Sequence, residues 1–310
     1  MSEKSNSYFK ESPKITVAMA VLNGGSFLEL ALRSVLNQSW TNWELLLIDD
    51  GSTDGAIERL PFLNDPRIIL IRDGRNRGLS FRLNQAIQMA SGKYFARMDH
   101  DDICHPERLT CQVTFLAEHP EVDLLATKCY SMDEQNKLIG TLPSAIDHVD
   151  ICRLPWKGFY MPHPSWMGKT EWFRKNNYLS PAPYCCEDQE LLLRAHYTSC
   201  YSTHPNYLLA YRAHSSIPWL KQFRTRVAMG KMQFIHFMAR REFLNAALSL
   251  IGQFVRLSND AWKKISYIFL PSSKKEPLSM EAITEWEILI KKLSASTTYP
   301  NSTEVNNVQS

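Results

Sequence analysis

Three carboxylates crowd the stretch Asp99-His100-Asp101-Asp102. Packed at the tip of an apolar run they repel one another and lose hydration, and a divalent cation bridging to phosphate oxygens is the usual way to offset both. A second acidic run, Asp49-Asp50-Gly51-Ser52-Thr53-Asp54, follows another apolar stretch, and a third pair, Glu187-Asp188, opens a helical pattern. An aspartate in such a place can accept an N–H from a pyrimidine ring or contact a ribose hydroxyl. Each cluster also has a plain structural reading. Asp102 would cap the next helix, Ser52 or Asp54 would start one, and Glu187-Asp188 would pair with a helix dipole.

The elements around these residues decide between the readings. Ile15 to Val21 is a β-rich apolar run that stops at Asn23-Gly24-Gly25, and Phe27 to Gln38 spaces Leu28, Ala31, Leu32, Val35 and Leu36 along one helical face. Trp43 to Ile48 is continuously apolar, as a strand covered on both faces requires. A helix through about Leu60 is expected next, then a strand Arg67–Ile71, a loop Asp73–Leu79, a helix Ser80–Ser91 and a strand Lys93–Met98. This alternation predicts an α/β, doubly wound, mostly parallel sheet with right-handed crossovers, in which Asp49-Asp50 and the Asp99 cluster end neighbouring strands. Ligands of such sheets sit at the carboxyl ends of strands. Pro106 suits the opening of the next helix, through Glu118.

The second half is less regular. Strands are expected at Val122–Ser131, Leu138–Leu142 and Tyr207–Arg212, with a short helix at Glu171–Asn176 and another from Glu187. From Ile217 the pattern is helical, basic and aromatic; residues 1–14 and 294–310 read as flexible tails, bracketing a catalytic domain over 15–216 and a helical extension over 217–293. With 44% hydrophobic and 22% charged residues the chain is of ordinary soluble composition, and a net charge of +3 is too small to argue for a nucleic-acid partner. The most apolar later window, Phe243 to Leu257, is broken by Asn245, Gln253 and Arg256, short of the roughly 20 apolar residues of a membrane span. No signal peptide is expected, and seven cysteines without a CxxC motif point to reduced thiols in a cytosol.

Taken together, the three acidic spacings resemble the inverting family 2 glycosyltransferases, whose nucleotide-sugar-binding fold is called GT-A. The resemblance runs from Ile15 to about His214 through SVLNQSWTNWELLLIDDGSTD, NRGLSFRLNQAIQMASGKYFARMDHDD, PERL, HPSWM, EDQELLLR and YRAHSS. It implies that Asp50 holds the base of a nucleotide-sugar donor, a UDP-sugar above all, and Asp99 its ribose. Asp101 would ligate Mn²⁺ or Mg²⁺, with His214 where some members place a metal- or diphosphate-contacting histidine. Asp188 would be the base that deprotonates an acceptor hydroxyl. Val21, Asn23, Asn76, Asn84 and Glu187 match positions beside the donor, and His163 a segment near the acceptor. Gly24-Gly25 lacks the acidic residue many relatives carry, and His100 replaces a usually small residue. The absence of the QxxRW motif of processive synthases favours transfer of single sugars.

Members build lipopolysaccharide, capsule, exopolysaccharide or protein-linked glycans, so a glycan or lipid-linked glycan acceptor is implied. A nicotinamide-dependent oxidoreductase would need GxGxxG after the first strand, and a nucleotidyltransferase a Gly-rich loop with Arg and Lys; Asn23-Gly24-Gly25-Ser26 supplies neither. A non-catalytic nucleotide- or sugar-binding scaffold is the serious rival. Leu220 to Phe269, rich in Lys and Arg interleaved with aromatic residues, reads either as an anionic-membrane-surface element on the inner face of the cell membrane or as helices packed on the catalytic domain with solvated charges.

Overall fold

A computed structural model describes residues 12–214, 218–266 and 278–295, the side chains of 263–266 excepted. Most of the two predicted tails, residues 215–217, and the aromatic positions Tyr267 and Phe269 lie outside the described residues. Near the start, the Ser12 carbonyl accepts from Asn42 Nδ2 at 2.6 Å and the Pro13 carbonyl from Trp40 Nε1 at 3.2 Å.

The chain begins with β1 (Ile15–Val21), α1 (Leu28–Leu36), β2 (Trp43–Asp49), β3 (Ile68–Arg72), α2 (Leu79–Met89) and β4 (Tyr94–Arg97). The four strands lie parallel in the order β3-β2-β1-β4, with Ile15 beside both Trp43 and Tyr94. Every residue of β2 is buried, and apolar clusters fill both faces of the sheet, Leu45 and Leu47 on one side and Leu46 and Ile48 on the other. Each such side chain contributes about 1.5–3 kcal/mol through burial.

Two expectations need correction here. No helix follows Asp54: residues 56–59 and 61–64 form turns, because Gly55 takes a φ of 67° and Pro61 leaves too few residues between them for more than one turn. The two acidic strand ends are not neighbours either, since β1 lies between β2 and β4. They still end at the same edge, because all three strands run parallel.

Beyond β4 come β5 (Ile103–Cys104), α3 (Arg108–Glu118), β6 (Leu124–Met132), β7 (Leu138–Thr141), α4 (His148–Cys152), β8 (Met167–Lys169), α5 (Thr170–Lys175), α6 (Glu187–Ala195) and β9 (Tyr201–Arg212). The sheet continues β4-β8-β6-β9-β5, with β7 on β6, and its pairings are now mostly antiparallel, only β6 and β9 running parallel. It is therefore one mixed sheet rather than a fully doubly wound one. Gly168 lets β8 enter close to Asp123: an added Cβ would stand 2.5 Å from the Asp123 carbonyl oxygen. Three further helices follow among the described residues: α7 (Trp219–Ala239), α8 (Phe243–Ser266) and α9 (Met280–Ala295). Trp286 of α9 is buried against Tyr130, while α7 and α8 pack as a pair beside α6 and the turn Pro155–Lys157. Among the described residues no helix is long and apolar enough to cross a membrane, and all seven cysteines are free thiols.

Candidate active site

The end of β2 is rigid. Asp49 Oδ1 accepts from the Ser52 amide three residues on at 2.8 Å, a side-chain-to-backbone bond that closes the turn with no helix behind it. Asp50, buried, donates its amide to the Val21 carbonyl at 2.7 Å. Its carboxylate accepts from the Arg77 amide at 2.7 Å, the Gly78 amide at 3.0 Å and Arg82 Nε at 2.8 Å. Arg82 is itself fully buried and reaches Asp73 at 2.6 Å. Burial alone would lower its pKa, but its bonds to Asp73 and Asp50 outweigh that and raise it. Asn23 ties the β1 loop to this turn: its Oδ1 accepts from the Thr53 amide at 2.9 Å, and its own amide donates to Ser52 Oγ at 3.0 Å. Gly51, at φ 84°, admits the next loop, since a Cβ there would stand 3.0 Å from Arg75 C and Asn76 N. Asn76 is exposed at that lip.

Beyond β4, Asp99, Asp101 and Asp102 present oxygens that all lie within 4.8 Å of one another. Asp99 Oδ1 accepts from Arg97 Nη2 at 2.5 Å. Asp102 is completely buried and does not cap α3; its Oδ1 accepts from the Arg212 amide at 2.8 Å and its Oδ2 has no partner among the described residues. Burial first, then Asp99 and Asp101, push its carboxyl well above the usual range. An orphaned buried oxygen beside two further carboxylates is a donor set of hard oxygens, and it fits a divalent cation. His214 Nε2 lies 3.1 Å from Asp101 Oδ2, brought there by the end of β9, where Arg212 Nε donates to the Asp101 carbonyl at 2.8 Å.

The third cluster opens α6. Burial, then the neighbouring Asp188, push Glu187 up to about 7, and burial likewise raises Asp188, whose Oδ2 accepts from Gln189 Nε2 at 3.2 Å. Glu187 lines a cavity of about 400 Å³ shared with Arg77, Gly78 and Phe81, whereas Asp188 lines another of about 710 Å³ shared with Phe159, Thr225 and Arg256. His163 is buried and held neutral, its pKa lowered by burial and then by Arg97. Its Nε2 meets Tyr178 Oη at 2.7 Å and its Nδ1 stands 4.0 Å from Glu187 Oε1. Asn84 spends its amide group on the Tyr178 backbone, donating to the carbonyl at 2.8 Å and accepting from the amide at 2.9 Å. It thereby sets the position of the tyrosine that meets His163.

Sequence reasoning missed the arginines. Arg97, Arg82, Arg108 and Arg212 are all buried behind the carboxylates, and Arg108 Nη2 donates to the Arg97 carbonyl at 2.7 Å. Arg97 Nε and Nη1 have no hydrogen-bond partner among the described residues, and its charge favours ionisation of both Glu187 and Asp188. The available signal was position: Arg97 and Arg82 sit inside otherwise apolar, element-forming runs.

The family model "Glycosyl transferase family 2" matches residues 16–176. EpsE of Bacillus subtilis, named a glycosyltransferase, is 38% identical over 125 residues, covering 39% of this chain and 45% of that protein. An uncharacterized glycosyltransferase of Haemophilus influenzae is 27% identical over 217 residues, 66% of this chain and 67% of that one. WcaA of Escherichia coli K12, named for colanic acid biosynthesis, is 36% identical over 115 residues, covering 36% of this chain and 40% of that protein. The chain thus spans less than half the length of EpsE and of WcaA. Among solved structures, TarS 1-349 of S. aureus in complex with UDP-GlcNAc has a TM-score of 0.61 at 14% identity, covering 90% of this chain and 80% of that one. The mannosyltransferase PcManGT of Pyrobaculum calidifontis, with GDP-Man and Mn²⁺, has a TM-score of 0.55 at 16% identity, covering 94% and 82%. These two likenesses bear on the fold, which is GT-A with added C-terminal helices. With half of its length matched by the family model, the chain belongs to glycosyl transferase family 2.

Proposed function

We propose that the protein is a metal-dependent, inverting transferase. It would move one hexosyl or N-acetylhexosaminyl unit from a nucleotide sugar, a UDP-sugar above all, to a hydroxyl of a glycan or lipid-linked glycan acceptor. The process served would be surface-polysaccharide assembly, of lipopolysaccharide for instance, on the cytoplasmic side of the cell membrane. One observation carries the reading: buried Arg97 bonds Asp99 and at the same time favours the charged forms of Glu187 and Asp188, so both acidic clusters share one electrostatic environment. TarS and PcManGT, solved with UDP-GlcNAc and with GDP-Man and Mn²⁺, are consistent with it.

In this reading Val21, Asn23, Asn76 and the Arg77-Gly78 loop frame the nucleotide. Asp50 Oδ2 keeps an acceptor position beyond the Gly78 amide for the base, and Asp99 takes the ribose. Asp101, with Asp102 behind it and His214 beside it, would hold Mn²⁺ or Mg²⁺, which when bound neutralises charge on the diphosphate leaving group. Asn84 and Tyr178 fix His163 at the entrance to α6, and Glu187 closes the donor side. Asp188 takes the proton from the acceptor hydroxyl as that oxygen attacks the anomeric carbon opposite the leaving group. Its raised pKa makes it a stronger base than an exposed aspartate.

The test is a panel of nucleotide sugars, measuring donor hydrolysis and transfer with and without Mn²⁺ for wild type and Asp188→Asn. A base contributes about 10²–10⁴-fold. Loss of turnover on that scale, with nucleotide affinity retained, supports the assignment; wild-type turnover in the variant removes it. No hydrolysis of any donor by wild type would favour the scaffold reading.

A further inference from the structure

The cavity that holds Asp188 is walled on its other sides by α7, α8 and the segment from Lys157 to Tyr160. At about 710 Å³ it is of ligand size. Its charge is lopsided: Lys157, Arg226 and Arg256 line it, and Asp188 is the one carboxylate among its lining residues. Arg226 is neutralised by Asp260, whose Oδ2 accepts from Arg226 Nε at 2.9 Å. Arg256 is not. Its Nη2 donates to the Lys157 carbonyl at 2.6 Å, and no carboxylate stands within ion-pair distance of it among the described residues. Burial lowers its pKa and the neighbouring Arg226 adds to that, while Tyr160 and Asp260 oppose it only in part. Lys157 is exposed, with Nζ 5.3 Å from the Trp156 ring.

A half-buried guanidinium without a carboxylate is costly to keep unless it serves a ligand, and its planar fork suits a phosphoryl or carboxylate group. Gly252, one turn before Arg256, brings α8 against Trp156: a Cβ there would stand 3.2 Å from that ring. The helix is thus held close enough for Arg256 to meet the Lys157 carbonyl. We infer that the acceptor is anionic and that Arg256, with Lys157 and Arg226, binds its phosphoryl or carboxylate group in the same cavity in which Asp188 receives its hydroxyl. The inference rests on the reading of Asp188 as the acceptor-side base. It adds the charge of the acceptor and the residues that select for it.

The probes are glucose 1-phosphate, glucuronate and neutral glucose, titrated by ligand-detected NMR in EDTA so that no metal-bridged phosphate binding contributes. Wild type should bind one or both anions at least tenfold more tightly than glucose, and 0.5 M NaCl should erase the difference. Preference for glucose 1-phosphate alone assigns a phosphoryl group, and preference for both assigns any anion of that size. Arg256→Gln should abolish the preference, Arg256→Lys should keep part of it, and Lys175→Gln, exposed on α5 outside the cavity, should leave it intact. Equal binding of all three sugars, an anion preference that survives in Arg256→Gln, or displacement of glucose 1-phosphate by UDP alone overturns the inference. Should Arg256→Gln fail to fold, the salt dependence of wild type and the Arg256→Lys result decide. A separate titration of UDP and GDP with Mn²⁺ reads the donor site: absence of binding there counts against the proposed function, not against the anion subsite.

Discussion

At the scale of single residues the site is governed by how many carboxylates share too few cations. Asp101 donates its carboxylate to a set whose third member, Asp102, is already buried without a full complement of partners. Asp101→Ala should weaken nucleoside-diphosphate binding at least tenfold in Mn²⁺ and leave metal-free binding unchanged, as calorimetry would show; equal affinities would refute the metal assignment. Glu187 makes a separate prediction about stability. Its carboxyl stands at about 7 in the fold against 4.5 ordinarily, raised by burial and then by Asp188. The folded state therefore binds more protons than the unfolded one between those values, and the associated stability is complete below pH 4.5 and lost as pH rises through 7. Glu187→Gln removes this term. Relative to the variant, metal-free wild type should lose on the order of 2–3 kcal/mol between pH 4.5 and 8 in urea unfolding. Parallel pH profiles for the two proteins would show that Glu187 does not titrate as described.

At the scale of elements, the site depends on β1 and β4 running close and in register. Gly92 makes that possible: a Cβ there would stand 2.5 Å from the Thr16 amide nitrogen and 2.8 Å from Ile15 C and the Lys14 carbonyl oxygen, all backbone. Gly92→Ala should cost about 1–3 kcal/mol through overpacking, and it should also lower Mn²⁺-dependent nucleotide affinity because β4 leads directly into Asp99. An unchanged melting temperature would contradict this. The elements around this contact were legible in the sequence because β1, α1, β2, α2, β4 and α3 have clean periods and punctuation, and the acidic strand ends follow directly from them. The missing helix after Asp54 was not, since Ala56, Ile57 and Leu60 are buried at a helical spacing that the Gly55 and Pro61 backbones overrule. Arg97 and Arg82 were not either, because an arginine inside an apolar run is read as a surface charge until the carboxylates that pair with it are known. The mixed second half of the sheet resists reading for another reason. Its pairings join strands far apart in the chain, as β5 does with β9, and no local pattern records them.

At the scale of the molecule, α8 is an amphipathic helix whose larger apolar face is turned outward. Ala246, Ser249 and Gln253 are buried against the protein, Gln253 Nε2 donating to Gln233 Oε1 at 3.3 Å, while Phe243, Leu244, Leu250, Ile251, Phe254, Val255 and Trp262 face outward. Periodicity alone locates such a stripe but does not say which side meets the protein. Leu244 is 74% exposed, Phe254 71% and Trp262 68%, and a contiguous apolar face of this kind marks an interaction surface. Exposed Lys221, Arg224, Lys231, Arg240 and Arg241 lie on the adjoining helix and its end, which suits an anionic bilayer better than an apolar protein partner. Each outward aromatic or aliphatic side chain that enters the headgroup boundary adds about 1.5–3 kcal/mol when fully buried there. Arg256 projects from this same helix toward the Asp188 cavity, so docking α8 on a membrane would set the acceptor cavity beside the lipid surface. In flotation with phosphatidylglycerol vesicles at low salt, the full chain should rise with the vesicles, and 0.5 M NaCl should release much of it. Ile251→Ser with Phe254→Ser should reduce flotation several-fold while leaving the melting temperature unchanged, because both side chains are exposed in the free protein. A full-length protein that stays wholly in the soluble fraction at low salt, or a double variant that floats like wild type, would rule out α8 as the membrane-facing element.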